Sequence, residues 1–527
     1  MFAGCGDRMY LASGLLWWLH FGLQSSLFLL AFANAGTHPR YCGGAMRHVH
    51  VAVGADPSTS MTVSFASIPC KFKPPYAGVA VGRSPSQLSH LFLEDRSNSP
   101  TSYNLTVTNG ANYGKHSYFA PYYHHVPLVG LQPDEVYYYQ PILKASLEDF
   151  DGLVERANRQ LRYNQTHRSL QRSGPYDGSN KDCPAMNKIR SFRTAPLSKT
   201  VTIAVMGDLG QFPHSEETVS RMLRSVDDFQ LAILAGDIAY SGYDHRRWDT
   251  FFDFLDDYPL AERVPLMVCP GNHDIDKQDD GNDLFLAYEN RFRMPWVHPP
   301  ELGVYEGPLG RMNMDHPPYP LPYEWGNGYY AYTYGGARII MLNVYASMDP
   351  GSLQYMWFED ELKAANDNRG EAPWVVVVMH TPIYNTFALH LHDVQIFAAR
   401  SHLEPLMVDY RVNLVFSGHI HAYQRTHPVR HNETDPRGPM HITVGAGGRQ
   451  CNAPFKTASA EDWVAVRDAT FYGYGMLRIH NDTIAEWDWV HSGYTDDRDY
   501  NEVKGSSEHL PGGPGRDLIY LENQFFL

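Results

Sequence analysis

The chain has 527 residues, of which 43% are hydrophobic and 13% aromatic, and a formal net charge of −15. That length exceeds what one hydrophobic core usually organises, so two domains are expected. The acidic charge is spread out with no basic block, which argues against nucleic acid and anionic membrane surfaces as partners.

Residues 1–35 read as a secretory signal. Arg8 precedes an apolar stretch from Leu11 to Ala33, which ends in Ala33-Asn34-Ala35 before Gly36, a small-residue cleavage pattern. His20, Gln24, Ser25 and Ser26 interrupt the apolar run, which favours a cleaved signal over a stable membrane anchor. Four glycosylation sequons, at Asn104, Asn164, Asn432 and Asn481, agree with export and N-glycans. The expected location is therefore secreted or endomembrane-lumenal, with lysosome or vacuole included. Cys42, Cys70, Cys183, Cys269 and Cys451 would survive cleavage, an odd set whose spacings match no structural zinc site. Cys269, inside an apolar run, is expected to be a buried free thiol.

Residues 45–197 alternate apolar and polar positions in short segments, such as 48–53, 61–65 and 136–139, with turn signals between them. This is the pattern of an antiparallel β-sandwich. The polar stretch 145–190 lacks periodicity and reads as an excursion, with a helix over 149–161. Its length is uncommon for a plain loop. From Thr200 the pattern changes to apolar strands alternating with helical segments, among them 215–228 and 355–366, as in an α/β domain spanning 198–500. Residues 296–328, rich in Pro, Gly, Tyr and His, read as a loop, and 501–527 as a C-terminal tail.

Five short runs stand out within the α/β part: Gly207-Asp208-Leu209-Gly210, Gly236-Asp237-Ile238-Ala239-Tyr240, Gly271-Asn272-His273-Asp274, Val377-Val378-Met379-His380 and Gly418-His419-Ile420-His421. Each closes an apolar stretch that reads as a buried strand: VTIAVM, LAIL, PLMV, WVVVVM and VNLVF. Functional groups of α/β proteins gather in the crevice outside the carboxyl ends of strands. Five strand ends can therefore deliver Asp208, Asp237, Tyr240, Asn272, His380, His419 and His421 to one point. A lone Asp after a strand is more often a helix N-cap, and a lone His or Tyr more often core or surface. The full set in this order is better explained by a site for two metal ions. The glycines allow sharp turns and close backbone approach.

The order and wording of these runs resemble the metallophosphoesterases, and the tyrosine three residues after Asp237 resembles the purple acid phosphatases in particular. The similarity extends to Phe192-Arg193-Thr194, Arg247-Trp248-Asp249-Thr250, Gln354-Tyr355-x-Trp357, Thr443 to Gly448, Gly473-Tyr474-Gly475 and Trp487-Asp488-Trp489, and so covers most of 45–495. The resemblance implies a fibronectin-III-like β-sandwich followed by a metallophosphoesterase α/β/β/α sandwich. Plant-type members look shorter over 296–328, which implies an inserted loop near the site.

By the same resemblance one ion takes Asp208, Tyr240, His421 and a share of Asp237, a hard anionic set suited to Fe(III). The other takes the rest of Asp237 with Asn272, His380 and His419, suited to divalent Zn, Mn or Fe. His419 and His421 lie two apart on extended backbone and so point the same way. Two ions roughly 3.5–4 Å apart clamp an in-line phosphoryl displacement, with a metal-bound hydroxide as nucleophile. They would also bring the positive charge that so acidic a chain lacks for a phosphate ester. His273 resembles the family's phosphate-contacting histidine. Of the histidine pair that plant-type members carry after His380, this chain has Leu389 and His390, with a further His392. The expected catalytic histidines are His273 and His390. The expected function is a secreted acid phosphatase acting on small-molecule phosphate monoesters. Two alternatives are a phosphodiesterase or nucleotide pyrophosphatase on the same metals, and a non-catalytic metal-containing glycoprotein. The second is disfavoured by the intact ligand set and by His273. A homodimer is compatible with the sequence, which does not fix the oligomeric state.

Overall fold

The structure is a computed structural model that describes residues 46–68, 74–108, 115–144, 146, 150, 188–277, 283–296, 301–302, 312–324, 326–494 and 516–526. The secretory signal, Asn164, the helix over 149–161 apart from Phe150, Cys42, Cys70 and Cys183 lie outside the described residues.

The alternating N-terminal segments form two main antiparallel sheets. Met46–Val53, Met61–Ser67 and Tyr122–Leu128 make one. His90–Leu93, Tyr76–Gly82, Val136–Lys144 and Arg190–Arg193 make the other. Alternate side chains such as Val51, Val63, Val79, Val126 and Tyr139 are buried between them, as period-two patterning requires. The next strand along the chain, Val201–Met206, already belongs to a different sheet.

That sheet has six strands in the order Leu266–Val268, Leu231–Leu234, Val201–Met206, Phe471–Ile479, Ile484–Tyr494 and Leu518–Glu522. Its first three strands are parallel and the others antiparallel. A seven-stranded sheet contains Ala337–Met341, Trp374–Val378, Leu414–Ser417 and Met440–Val444 as a parallel core. Parallel neighbours need crossovers, here supplied by Pro213–Arg224, Arg246–Asp257 and Leu353–Asp367. The first of these starts with a proline at its opening turn and ends with Arg221 and Arg224 near its carboxyl end, placements that suit both helix ends. The sheets meet through aromatic contacts: Phe416 tilted against Trp487 at 5.0 Å and Tyr423 stacked on Trp489 at 4.4 Å between ring centroids.

All five apolar stretches that precede the candidate ligand runs form strands that are largely buried. Three end in one sheet and two in the other, so the runs converge from both sheets.

The stretch 501–527 is not a tail throughout. Leu518–Glu522 pairs with Ile484–Tyr494 as an edge strand, and Asp517 is fully buried. Its carboxylate accepts from Tyr423 Oη at 2.6 Å and pairs with Arg425 at 2.6 Å. The strand is short and mostly half-exposed, so its pattern carries no strong strand signal.

One continuous hydrophobic core runs through the N-terminal sheets and the α/β sheets. At their junction the buried Arg291 donates to Tyr103 Oη at 2.7 Å, Tyr118 Oη at 2.9 Å and Asp249 Oδ1 at 2.9 Å. A buried cation is tolerated only when paired and hydrogen-bonded in this way. Cys269 is a buried free thiol whose pKa burial pushes well up.

Candidate metal centre

The turns that leave the five strands are unusually constrained. Asp208, Asp237, Tyr240 and His419 all have positive φ, between 49° and 69°. Non-glycine residues in this region are uncommon and concentrate at functional sites. The preceding glycines make room for the chemistry. A Cβ on Gly418 would sit 2.4 Å from Asp208 Oδ2 and 2.7 Å from the Ala235 carbonyl. One on Gly236, at φ 81°, would meet His380 Nδ1 at 2.4 Å.

The seven side chains come together as two adjoining groups. In the first, Tyr240 Oη donates to Asp208 Oδ1 at 2.9 Å and lies 2.9 Å from His421 Nε2, which is itself 3.5 Å from Asp208 Oδ1. In the second, Asn272 Oδ1 lies 3.0 Å from His380 Nε2 and 2.9 Å from His419 Nδ1. Asp237 joins them. Its Oδ1 is 3.3 Å from His380 Nε2, and ligand atoms of Asp208, Asp237 and His380 all lie within 4.8 Å of one another.

The donor chemistry fits cations. His380 Nδ1 lies 2.7 Å from the Ala235 carbonyl, which can only accept. In the neutral ring the lone pair is therefore on Nε2, facing the Asn272 oxygen. His419 Nε2 lies 2.8 Å from Asp393 Oδ2, and by the same logic its Nδ1 lone pair faces that same oxygen. Acceptors pointed at acceptors are reconciled by a proton or by a metal ion among them. Burial draws the His380 pKa down, but Asp237 and Asp208 outweigh it and carry it up to about 9. Burial, then the Asp208 and Asp237 carboxylates, pushes the Tyr240 phenol well above its usual range. A phenolate there needs a cation beside it.

The loop that carries Asp237 is braced from outside. Asp274, fully buried, accepts from the backbone N–H groups of Asp237 at 3.0 Å, Ile238 at 3.0 Å and Gly271 at 2.9 Å. Two of the five turns are thereby fixed to each other by one carboxylate.

Three family models match the chain in order. They are the purple acid phosphatase N-terminal domain over residues 46–149, the calcineurin-like phosphoesterase over 201–423 and the iron/zinc purple acid phosphatase-like protein C over 438–501. The chain belongs to the purple acid phosphatases. It is 34% identical over 307 residues to the probable purple acid phosphatase 20 of Arabidopsis thaliana, which covers 58% of this chain and 65% of the relative. With purple acid phosphatase 15 of the same plant it shares 28% identity over 427 residues, 69% of this chain and 67% of the relative. The chain thus spans about two-thirds of the length of these curated relatives. The solved purple acid phosphatase PPD1 of yellow lupin (Lupinus luteus) seeds superposes with a TM-score of 0.61 at 18% identity, covering 85% of this chain and 72% of that one. That likeness speaks to the fold alone.

The remaining residues singled out from sequence fall on both sides of the centre's wall. His273 Nε2 lies 4.0 Å from Asp237 Oδ2, and its ring is 4.6 Å from that of Tyr240. His390, at φ 57°, has its ring 4.0 Å from His419 and its Nδ1 3.0 Å from Asp393 Oδ2. His392 is exposed and lines a separate cavity of about 430 Å³ with Arg400, Lys456 and Trp463. None of the seven candidate ligands is among the residues that line that cavity. Asp393, within reach of three imidazoles, was not among the residues expected from sequence. Its signal there is one carboxylate three residues after His390, which means nothing until the loop is folded. Residues of the stretch 312–324 also reach the centre, through Asp315 and His316.

Proposed function

We propose that the chain is a binuclear-metal acid phosphatase that hydrolyses small-molecule phosphate monoesters. In this reading Asp208, Tyr240 and His421 hold Fe(III), and Asn272, His380 and His419 hold a divalent Zn, Mn or Fe. Asp237 is shared between them. The observation that carries it is the convergence of seven donor side chains from five strand ends, with the lone pairs of two imidazoles facing one oxygen, Asn272 Oδ1. Bound there, the two ions would supply Lewis acidity toward the phosphoryl group and the activated water that attacks it.

The chain's own residues do the rest. His380 is held by the Ala235 carbonyl and His419 by Asp393, which fixes both ring orientations. His273 and His390 stand at the rim, 23% and 20% exposed, where an ester phosphate and its leaving oxygen can reach them. Their proposed tasks are to orient the phosphate and to donate the proton that the leaving alkoxide needs. Export with N-glycans is part of the reading, supported by the exposed Asn104, Asn432 and Asn481. Among the described residues no helix is long and apolar enough to cross a membrane.

The test is assay of the purified, full-length protein on an alkyl monoester and on a diester, with metal content measured on the same sample. Two metals per chain and monoester turnover are expected. A preference for the diester would replace this reading by a phosphodiesterase on the same centre. Two metals with no turnover on either would leave a non-catalytic metalloprotein.

A further inference from the structure

Residues 312–319, part of the inserted stretch, are fastened on both flanks of the metal centre. On one flank Asp315 Oδ1 lies 3.6 Å from His273 Nε2, and Tyr243 Oη donates to the Met312 carbonyl. On the other, His316 Nδ1 lies 3.3 Å from Asp393 Oδ1 and Gln395 Nε2 donates to the Pro317 carbonyl at 3.5 Å. Tyr319 Oη accepts from the Met348 N–H at 2.8 Å. The stretch therefore borders the centre from His273 to Asp393.

His316 and His390 use the same carboxylate in the same way. Each turns Nδ1 toward Asp393, on different oxygens, at 3.3 Å and 3.0 Å. A carboxylate only accepts, so both rings donate Nδ1–H to it, which leaves each Nε2 as an acceptor in the neutral ring and as an N–H donor in the imidazolium. Among the described residues neither Nε2 has a protein partner. The two rings are 5.9 Å apart, and that of His390 packs against candidate ligand His419. His316 is 66% exposed whereas Asp393 is 7% exposed. An imidazole held at that exposure by a buried carboxylate adds little to the core. It presents a polar edge to whatever enters.

We propose that His316 is a phosphate-binding residue supplied by the insertion, acting beside His390, with Asp393 as the positioning residue for both. The proposal rests on the phosphomonoesterase reading above and names a further residue of that site. A phosphate monoester offers three unesterified oxygens, each able to accept more than one hydrogen bond. In its imidazolium form His316 adds an Nε2–H donor on the flank opposite His273, where Asp315 sets a negative charge that the substrate must avoid.

The test titrates inorganic phosphate calorimetrically into the full-length, metal-loaded protein and its His316→Ala variant. A lost hydrogen bond to a charged group predicts about a tenfold weaker phosphate affinity, with metal per chain unchanged. The KM for a monoester should rise more than kcat falls. His316→Gln, which keeps an N–H donor, should recover part of the affinity. Unchanged phosphate affinity in His316→Ala overturns the proposal. So does loss of metal from that variant, which would make the residue part of the centre's scaffold. Failure of the underlying reading shows differently: the unsubstituted protein, with two metals, would bind no phosphate and hydrolyse no monoester.

Discussion

Replacing Asp393 by alanine separates what holds the imidazoles from what they hold. Its Oδ2 is 2.8 Å from His419 Nε2 and 3.0 Å from His390 Nδ1, and its Oδ1 is 3.3 Å from His316 Nδ1. Of the three, only His419 turns its other nitrogen to Asn272. Without the acceptor, the His419 ring loses both its orientation and the bond that keeps the proton on Nε2. Losing such an outer partner typically costs a ligating histidine roughly 10–100-fold in metal affinity, which is about 1.4–2.7 kcal/mol. The side chain makes no capping hydrogen bond to helix Val394–Ala398, so that helix should survive. Asp393→Asn keeps an accepting oxygen but not the charge and should fall between alanine and the native residue. The assay is metal per chain by mass spectrometry after dialysis against graded chelator. The divalent ion should leave at about 10–100-fold lower chelator concentration while the ion at Tyr240 stays. Retention of both ions at native affinity would refute the reasoning, and equal loss of both would move Asp393 from orienting His419 to supporting the fold.

Asp237→Ala should lose both metals, because its carboxylate adjoins His380 on one side and bears on Tyr240 on the other; two tightly held ions after that change would place the bridge elsewhere. Tyr240→Phe should bleach the phenolate-to-Fe(III) absorption of the loaded protein and leave its melting temperature close to native. A coloured Phe variant would remove Tyr240 from the ligand set. Stability should fall on acidification, because burial holds His50 down to about 4 and His441 to about 3, both below the ordinary value of 6.5. Their folded pKa values are depressed, so the stability they permit is complete above about pH 6.5 and is lost as pH falls toward the folded values, on the order of 2–3 kcal/mol per histidine by about pH 4.5. Urea midpoints at neutral and acidic pH measure this. His441→Gln should flatten the fall, and a flat native profile would contradict it.

The parts of the centre that were legible in sequence are those written in local spacing. An apolar run followed by glycine and a ligand specifies a buried strand and the turn after it, because burial and backbone permissiveness act over a few residues. That spacing points to Asp208, Asp237, Tyr240, Asn272, His380, His419 and His421 as candidate ligands, and the strands before them lie where the apolar runs put them. His390 and His392 show the limit of that reasoning. Both sit on one loop two residues apart, yet one packs on His419 and the other lines a separate cavity.

Asp393 and His316 carried no usable signal, being a carboxylate after a loop and a histidine in an unpatterned stretch, 77 residues apart. The edge strand Leu518–Glu522 was hidden for a related reason, since its place is fixed by Asp517 reaching Arg425 across 92 residues. The sequence by itself determined which residues could bind metal and which strands would present them. Only the tertiary structure decided which carboxylate holds which imidazole, and that Asp315 and His316 border the centre. Hydrogen bonds between distant segments depend on where the chain is closed, and closure is set by the packing of the two sheets rather than by the spacing along either one.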